Sequence, residues 1–122
     1  RKVQEAETAA RKQQMFEERI KRFLDLKIKD EDIEIVPLRS IDEFKAEGEL
    51  MHHCVFASKY FERLDCLILS AKIGEEHIET IEVDLLKWQV VQSRGKFNQP
   101  TPYHDKIVNL VKSNINLIKR IA

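Results

Sequence analysis

Residues 66–94 read "CLILSAKIGEEHIETIEVDLLKWQVVQSR", and the fold class turns on them. Three runs, 66–73, 78–85 and 89–94, are rich in apolar and β-branched residues, and the short links "GEEH" and "LKW" separate them. That spacing predicts three consecutive antiparallel strands in a meander. Within "IETIEVDL", a period of two puts Ile81, Val83 and Leu85 on one face and Thr80, Glu82 and Asp84 on the other. Gln92 and Arg94 share a face of the next strand, with Val90 beside them. If the two polar faces coincide, Thr80, Glu82, Gln92 and Arg94 form one patch, and Asn98 follows in the loop "GKFNQP". A half-exposed antiparallel sheet shows the same alternation with no function attached, so the pattern fits either a solvated surface or a site.

Upstream, "IEIVPL" (33–38) alternates and reads as a short strand with Pro37 at an edge. Ser40 and Glu43 make a capping box that opens a helix over 41–47, and Gly48 is placed to stop it. A second short helix is expected over 50–62, carrying His52, His53, Cys54 and Tyr60. Residues 2–26 lack Pro and Gly and predict a long N-terminal helix. Its apolar residues Phe16, Ile20, Phe23 and Leu24 recur at helical spacing, whereas the first half offers only Val3, Ala6, Ala9 and Ala10 and reads as a projecting arm. Downstream, Pro100 and Pro102 punctuate a loop, and Thr101 is expected to cap a final helix with Pro102 at its first position. Ile107, Leu110, Val111, Leu117, Ile118 and Ile121 give that helix one apolar stripe. The expected class is α+β: a three-stranded meander plus a short edge strand, with helices on one face. Residues 1–28 form the arm and 29–122 the domain.

A length of 122 residues fits one domain or part of one, and 43% hydrophobic residues suffice for a globular core. No apolar run approaches the roughly eighteen residues a membrane span needs, and no signal peptide is visible. The chain opens without methionine, the expected mark of a piece of something longer. Cys54 and Cys66 fit no disulfide framework and no zinc-finger spacing, and a reduced cytoplasmic setting is the simpler reading. The net charge is zero but uneven: +4 over residues 1–29, −10 over 30–86 and +6 over 87–122. The basic ends either face an anionic partner such as DNA or RNA, or pack around the acidic middle and cancel it.

"LMHHCV" (50–55) gathers two histidines and a cysteine. A cysteine in the first turn of a helix is biased towards thiolate, and an adjacent imidazole assists. Neighbouring helical residues point about 100° apart, however, so His53 and Cys54 do not readily share one target, nor do His52 and His53 share a metal. His77 and His104 stand at no recognisable metal spacing, so no metal site is assigned. Cys54 is therefore a buried apolar residue, a reactive thiol or a ligand, and spacing leaves all three open. The only glycines are Gly48, Gly74 and Gly95, so ATP or dinucleotide binding by a standard glycine-rich loop is not expected, and the cofactor is left open. "RGKFN" (94–98) is basic, aromatic and amide-bearing, suited to a phosphate or a stacked base, but it lacks a second aromatic on the same surface.

Taken together, "EGELMHHCV" (47–55) with Tyr60, "TIEV" (80–83) and "QSRGKFN" (92–98) resemble the PcfJ-like family of conjugative plasmids, phages and related mobile elements. Its pattern is a His-Cys-Val motif with a later Tyr, a Thr-x-Glu strand and a Gln-x-x-Gly-x-x-Asn turn. Those positions fall on His53, Cys54, Val55, Tyr60, Thr80, Glu82, Gln92, Gly95 and Asn98. The resemblance covers residues 38–112, leaves the N-terminal helix outside, and implies a mobile-DNA setting without fixing an activity. It also implies that the cluster and the strand patch belong to one site. Three functions fit. The first is a nucleic-acid-associated domain binding through its basic ends and the 94–98 loop. The second is a small hydrolase, transferase or nuclease using His53, Cys54 and Glu82, with Tyr60, Thr80, Gln92, Arg94 and Asn98 as binding groups. The third is an interaction module for other conjugation or phage proteins, docking through its N-terminal helix.

Overall fold

The computed structural model describes residues 2–56 and 58–122, apart from the side chains of Lys2 and Val3. The expectations for Arg1, the Val3 side chain and Ala57 lie outside the described residues. Among these residues, five strands form one antiparallel sheet in chain order: β1 (Ile28–Asp30), β2 (Ile33–Pro37), β3 (Cys66–Ile73), β4 (Glu76–Asp84) and β5 (Gln89–Arg94). The expected meander is therefore the right core of a larger sheet. "IKD" at 28–30 is too short to signal itself, but it pairs Ile28 with Ile35 and so makes β2 internal. Pro37 still lies where no outer strand reaches it: β1 pairs only with Ile33–Ile35, while Pro37 faces Leu69 on the inner side.

Four helices accompany the sheet: α1 (Lys2–Ile20), α2 (Ile41–Met51), α3 (His104–Ser113) and α4 (Ile115–Ile121). They cover both faces, not one. Glu79 and Thr80 are consecutive in β4 and so point to opposite sides. Thr80 reaches α2 through Glu47, whereas Glu79 reaches His104 at the start of α3. Beneath α3 and α4, the fully buried Ile107, Val111 and Ile118 join a core with Ile35, Leu69, Ile81 and Val83. On the α2 side the Phe16, Phe44 and Phe61 rings pack edge-on at 5.4 and 5.9 Å. Phe16 and Ile20 bring α1 into that core; the helix expected over 2–26 ends at Ile20, and Phe23, in a 3-10 turn over Lys21–Phe23, and Leu26 continue the packing.

Further element boundaries differ from expectation. Ser40 caps α2 as predicted, its Oγ accepting the Glu43 amide at 3.1 Å, but Gly48 does not end the helix. The helix runs on to Met51 and stops at His52, which adopts φ 51°, ψ 48°. The His53 amide then bonds the Gly48 carbonyl at 3.3 Å, a Schellman-type closure. Residues 52–56 and 58–59 are consequently not helical, and Tyr60–Glu62 form only a 3-10 turn. At the other end, α3 starts at His104, two residues after Pro102, and Thr101 Oγ1 accepts the Tyr103 amide at 3.2 Å just before it. The predicted single final helix breaks at Asn114, whose Nδ2 donates to the Leu110 carbonyl at 2.9 Å.

Two bulges decide which side chains meet. The β3–β4 register shifts between Ala71 and Lys72, so His77 pairs with Lys72 and lies on the Thr80 face despite its odd spacing from Thr80. The β4–β5 register shifts beside Glu82, so Gln92 faces Glu82 while Val90 faces Val83 on the opposite side. Val90 thus leaves the polar face on which strict alternation had put it.

Candidate functional site

On the α2 face a cavity of about 430 Å3 opens over β4 and β5. Its walls include all eight residues singled out as a site in the sequence. His53, Cys54 and Tyr60 come from the segment after α2, Thr80 and Glu82 from β4, Gln92 and Arg94 from β5, and Asn98 from the following loop. Ser58, Val55 and Ile68 complete it. The segment that carries His53 and Cys54 across the sheet is an irregular loop, which removes the helix-dipole argument for Cys54. Cys54 is exposed, so it is not a buried core residue either.

Gln92 organises the cavity floor. Its Nε2 donates to Glu82 Oε1 at 2.9 Å and to the Tyr60 hydroxyl at 3.2 Å. The Glu82 side chain is 11% exposed, and its other oxygen lies 3.9 Å from Arg63, whose guanidinium sits 4.3 Å over the Tyr60 ring. Glu82 and Arg94 are thus the charged groups of the cavity wall, one of each sign, and Arg63 stands behind Glu82 and Tyr60. Cys66, nearby, is a different kind of thiol: burial, with Glu82 adding to it, pushes it up to about 12.

His53 is half-buried, and burial lowers its pKa below the ordinary value. Its Nε2 lies 2.9 Å from Thr80 Oγ1, and Thr80 donates its hydroxyl proton to Glu47 at 2.5 Å. Glu47 is fully buried and also accepts from Ser70 at 2.9 Å and meets His77 Nδ1 at 2.5 Å. Sequence reasoning gave Glu47, Ser70 and His77 no role. The available signal was a charged residue on the buried stripe Phe44, Glu47, Met51 of α2; His77 was hidden by the bulge.

Next to the lining residues His53 and Asn98 stands the aromatic partner that the 94–98 loop lacked in sequence. His52 and Phe97 stack with centroids 4.7 Å apart and planes 7° from parallel, and Phe97 is 64% exposed. His52, Lys59, Phe97 and Asn98 all have positive φ; Asn98 lines the cavity and each of the other three is next in sequence to a lining residue. Such conformations cost about 1–3 kcal/mol each and gather where the surrounding structure over-determines them. The 96–101 loop is fixed from the other face by Glu79, which accepts from Ser93 (2.6 Å), the Thr101 amide (2.9 Å) and hydroxyl (2.7 Å), and approaches His104 Nδ1 at 2.9 Å. Gly95 permits this closeness: a Cβ there would stand 2.5 Å from Thr101 Cγ2.

The basic ends divide between the two readings of the charge. Lys12 pairs with Glu62, and Lys106 with Asp30 and Glu31, so part of the positive charge packs against the acidic middle. Among the described residues, no three His, Cys, Asp or Glu side chains group to hold a metal, and no helix is long and apolar enough to cross a membrane.

Fold and site together define an α+β domain with a polar cavity on its sheet. The model of the PcfJ-like protein family matches residues 2–108, and the chain belongs to that family. The match takes in the N-terminal helix, which the motifs alone had left outside. Neither the curated proteins nor the solved structures contain a match.

Proposed function

We propose that the protein is a nucleic-acid-associated domain of a bacterial mobile-element system, and that its cavity receives one nucleotide of a bound single strand. The observation that carries this reading is the Phe97–His52 stack, with Phe97 exposed, whose two residues directly precede Asn98 and His53 in the wall of a cavity that Arg94 also lines. Single-stranded nucleic acids are held by aromatic faces for bases and cationic grooves for phosphates. Arg94 and Arg63 supply cations, and the volume lies within the range of small-ligand sites. Inside, the Glu82 carboxylate, the Gln92 amide and the Tyr60 hydroxyl suit the mixed donors and acceptors of a base or sugar. The plasmid and phage setting rests on the His-Cys-Val, Thr-x-Glu and Gln-x-x-Gly-x-x-Asn motifs.

Fluorescence anisotropy with labelled single-stranded DNA and RNA tests the reading. Affinity falls as salt rises from about 50 to 250 mM. Phe97→Ala weakens binding about 5- to 100-fold, as expected for one stacked base. Arg94→Ala weakens it and flattens the salt dependence. Absence of binding, or binding indifferent to Phe97→Ala and Arg94→Ala, ends the proposal. A second reading, a hydrolase, transferase or nuclease acting on the bound strand, is favoured by the exposed thiol of Cys54 in the same cavity. It requires turnover of an end-labelled strand that Glu82→Gln abolishes in folded protein.

A further inference from the structure

Beneath the cavity lies a polar set that strand binding does not itself use: Glu47 on α2, Ser70 on β3 and His77 on β4. A fully buried glutamate in a helix stripe is costly unless its lone pairs are filled. Here they are filled by the Ser70 and Thr80 hydroxyls and by His77. Thr80 has one hydroxyl proton, and it goes to Glu47 Oε2. Towards His53 Nε2, at 2.9 Å, the Thr80 oxygen then has only lone pairs to offer, so Nε2 must carry the proton. The rest of the ring agrees: Nδ1 faces the Val55 amide N–H at 3.5 Å, a contact too long to hold the tautomer by itself.

We propose that Glu47 is a positioning residue: acting through Thr80, it holds His53 in the Nε2–H tautomer with its ring fixed against the cavity wall. The titratable groups facing Glu47 are His53, through Thr80, and His77, directly. His77 is partly exposed at the β3–β4 bulge, so the carboxylate joins a surface imidazole to a cavity imidazole. What His53 is held for rests on the nucleotide reading of the cavity. The tautomer itself does not.

Long-range 1H–15N correlation spectra of the ligand-free protein test the proposal. Wild type and Thr80→Ser show His53 protonated at Nε2. Thr80→Val, which removes the acceptor, and Glu47→Gln, whose amide can donate to Thr80 and free its proton, show a tautomer mixture or Nδ1–H. With a single-stranded oligonucleotide, Thr80→Val raises Kd several-fold and Thr80→Ser restores it. An Nδ1–H tautomer in wild type, or one unchanged by both Thr80→Val and Glu47→Gln, overturns the assignment. If one of the two variants fails to fold, the tautomer in the other decides. If wild type binds no oligonucleotide, the nucleotide reading fails while the tautomer still decides the role of Glu47.

Discussion

Glu79 and Glu47 are both fully buried, on opposite faces of the sheet, and each is ringed by hydroxyls and a histidine. Burial opposes the charge of Glu79, but the bonds from Ser93, Thr101 and His104 outweigh it and hold its carboxyl below the ordinary 4.5. A lowered folded-state pKa means that this stabilisation is complete above that ordinary value and is lost as pH falls through the lower folded one. His53 acts in the same direction from higher pH, because burial keeps it neutral where the unfolded chain takes up a proton, below about 6.5. Urea midpoints measured from pH 7 to pH 3 should therefore fall on acidification, in a first step that His53→Gln removes and a second that remains. Glu79→Ala, which strands several donors, should cost about 2–4 kcal/mol and loosen the 96–101 loop. The cysteines divide as sharply. Iodoacetamide should modify the exposed Cys54 in native protein and reach Cys66, pushed up to about 12, only on unfolding. Equal rates at both would contradict their environments.

Elements were legible where periodicity ran for several residues, and illegible where one residue reset it. The meander, the Ser40 cap and the polar strand patch could all be read, because alternation in "IETIEVDL" needs only the pleat. Helix α2 could not be bounded: Gly48 looks like a stop, yet the stop is His52, a left-handed residue that local preference does not favour. Neither bulge has a sequence mark, so the inward turn of Val90 and the arrival of His77 beside Glu47 were invisible. The eight candidate residues could be named from motifs, but their union in one cavity depends on a loop crossing the sheet where a helix was expected. Two glycines test this picture with opposite signs. At Gly48 a Cβ would meet its nearest neighbour, the His53 carbonyl, at 3.4 Å, an ordinary contact, and Gly48→Ala should stabilise the protein by about 0.5–1 kcal/mol. At Gly95 a Cβ would also stand 2.8 Å from the Gln99 carbonyl, and Gly95→Ala should cost roughly 1–3 kcal/mol in urea unfolding.

At the scale of the whole molecule, the sheet divides the labour between its faces. The α3–α4 side is apolar core apart from the Glu79 cluster, which pins a loop whose other end forms the cavity rim. The α2 side carries a buried relay, then the cavity, then the stacked rings beside it. Ion pairs with the acidic middle engage Lys12 and Lys106 of the basic ends, whereas Arg94 stands in the cavity wall. Binding through the ends and binding through the cavity are therefore separable. A 1H–15N HSQC titration of the full chain with a short single-stranded oligonucleotide separates them most directly. Shifts should concentrate at His52, His53, Thr80, the Gln92 side-chain amide, Phe97 and Asn98, and Phe97→Ala should suppress them. Shifts confined to α1, α3 and α4, or no shifts at all, would contradict the cavity as the seat of function.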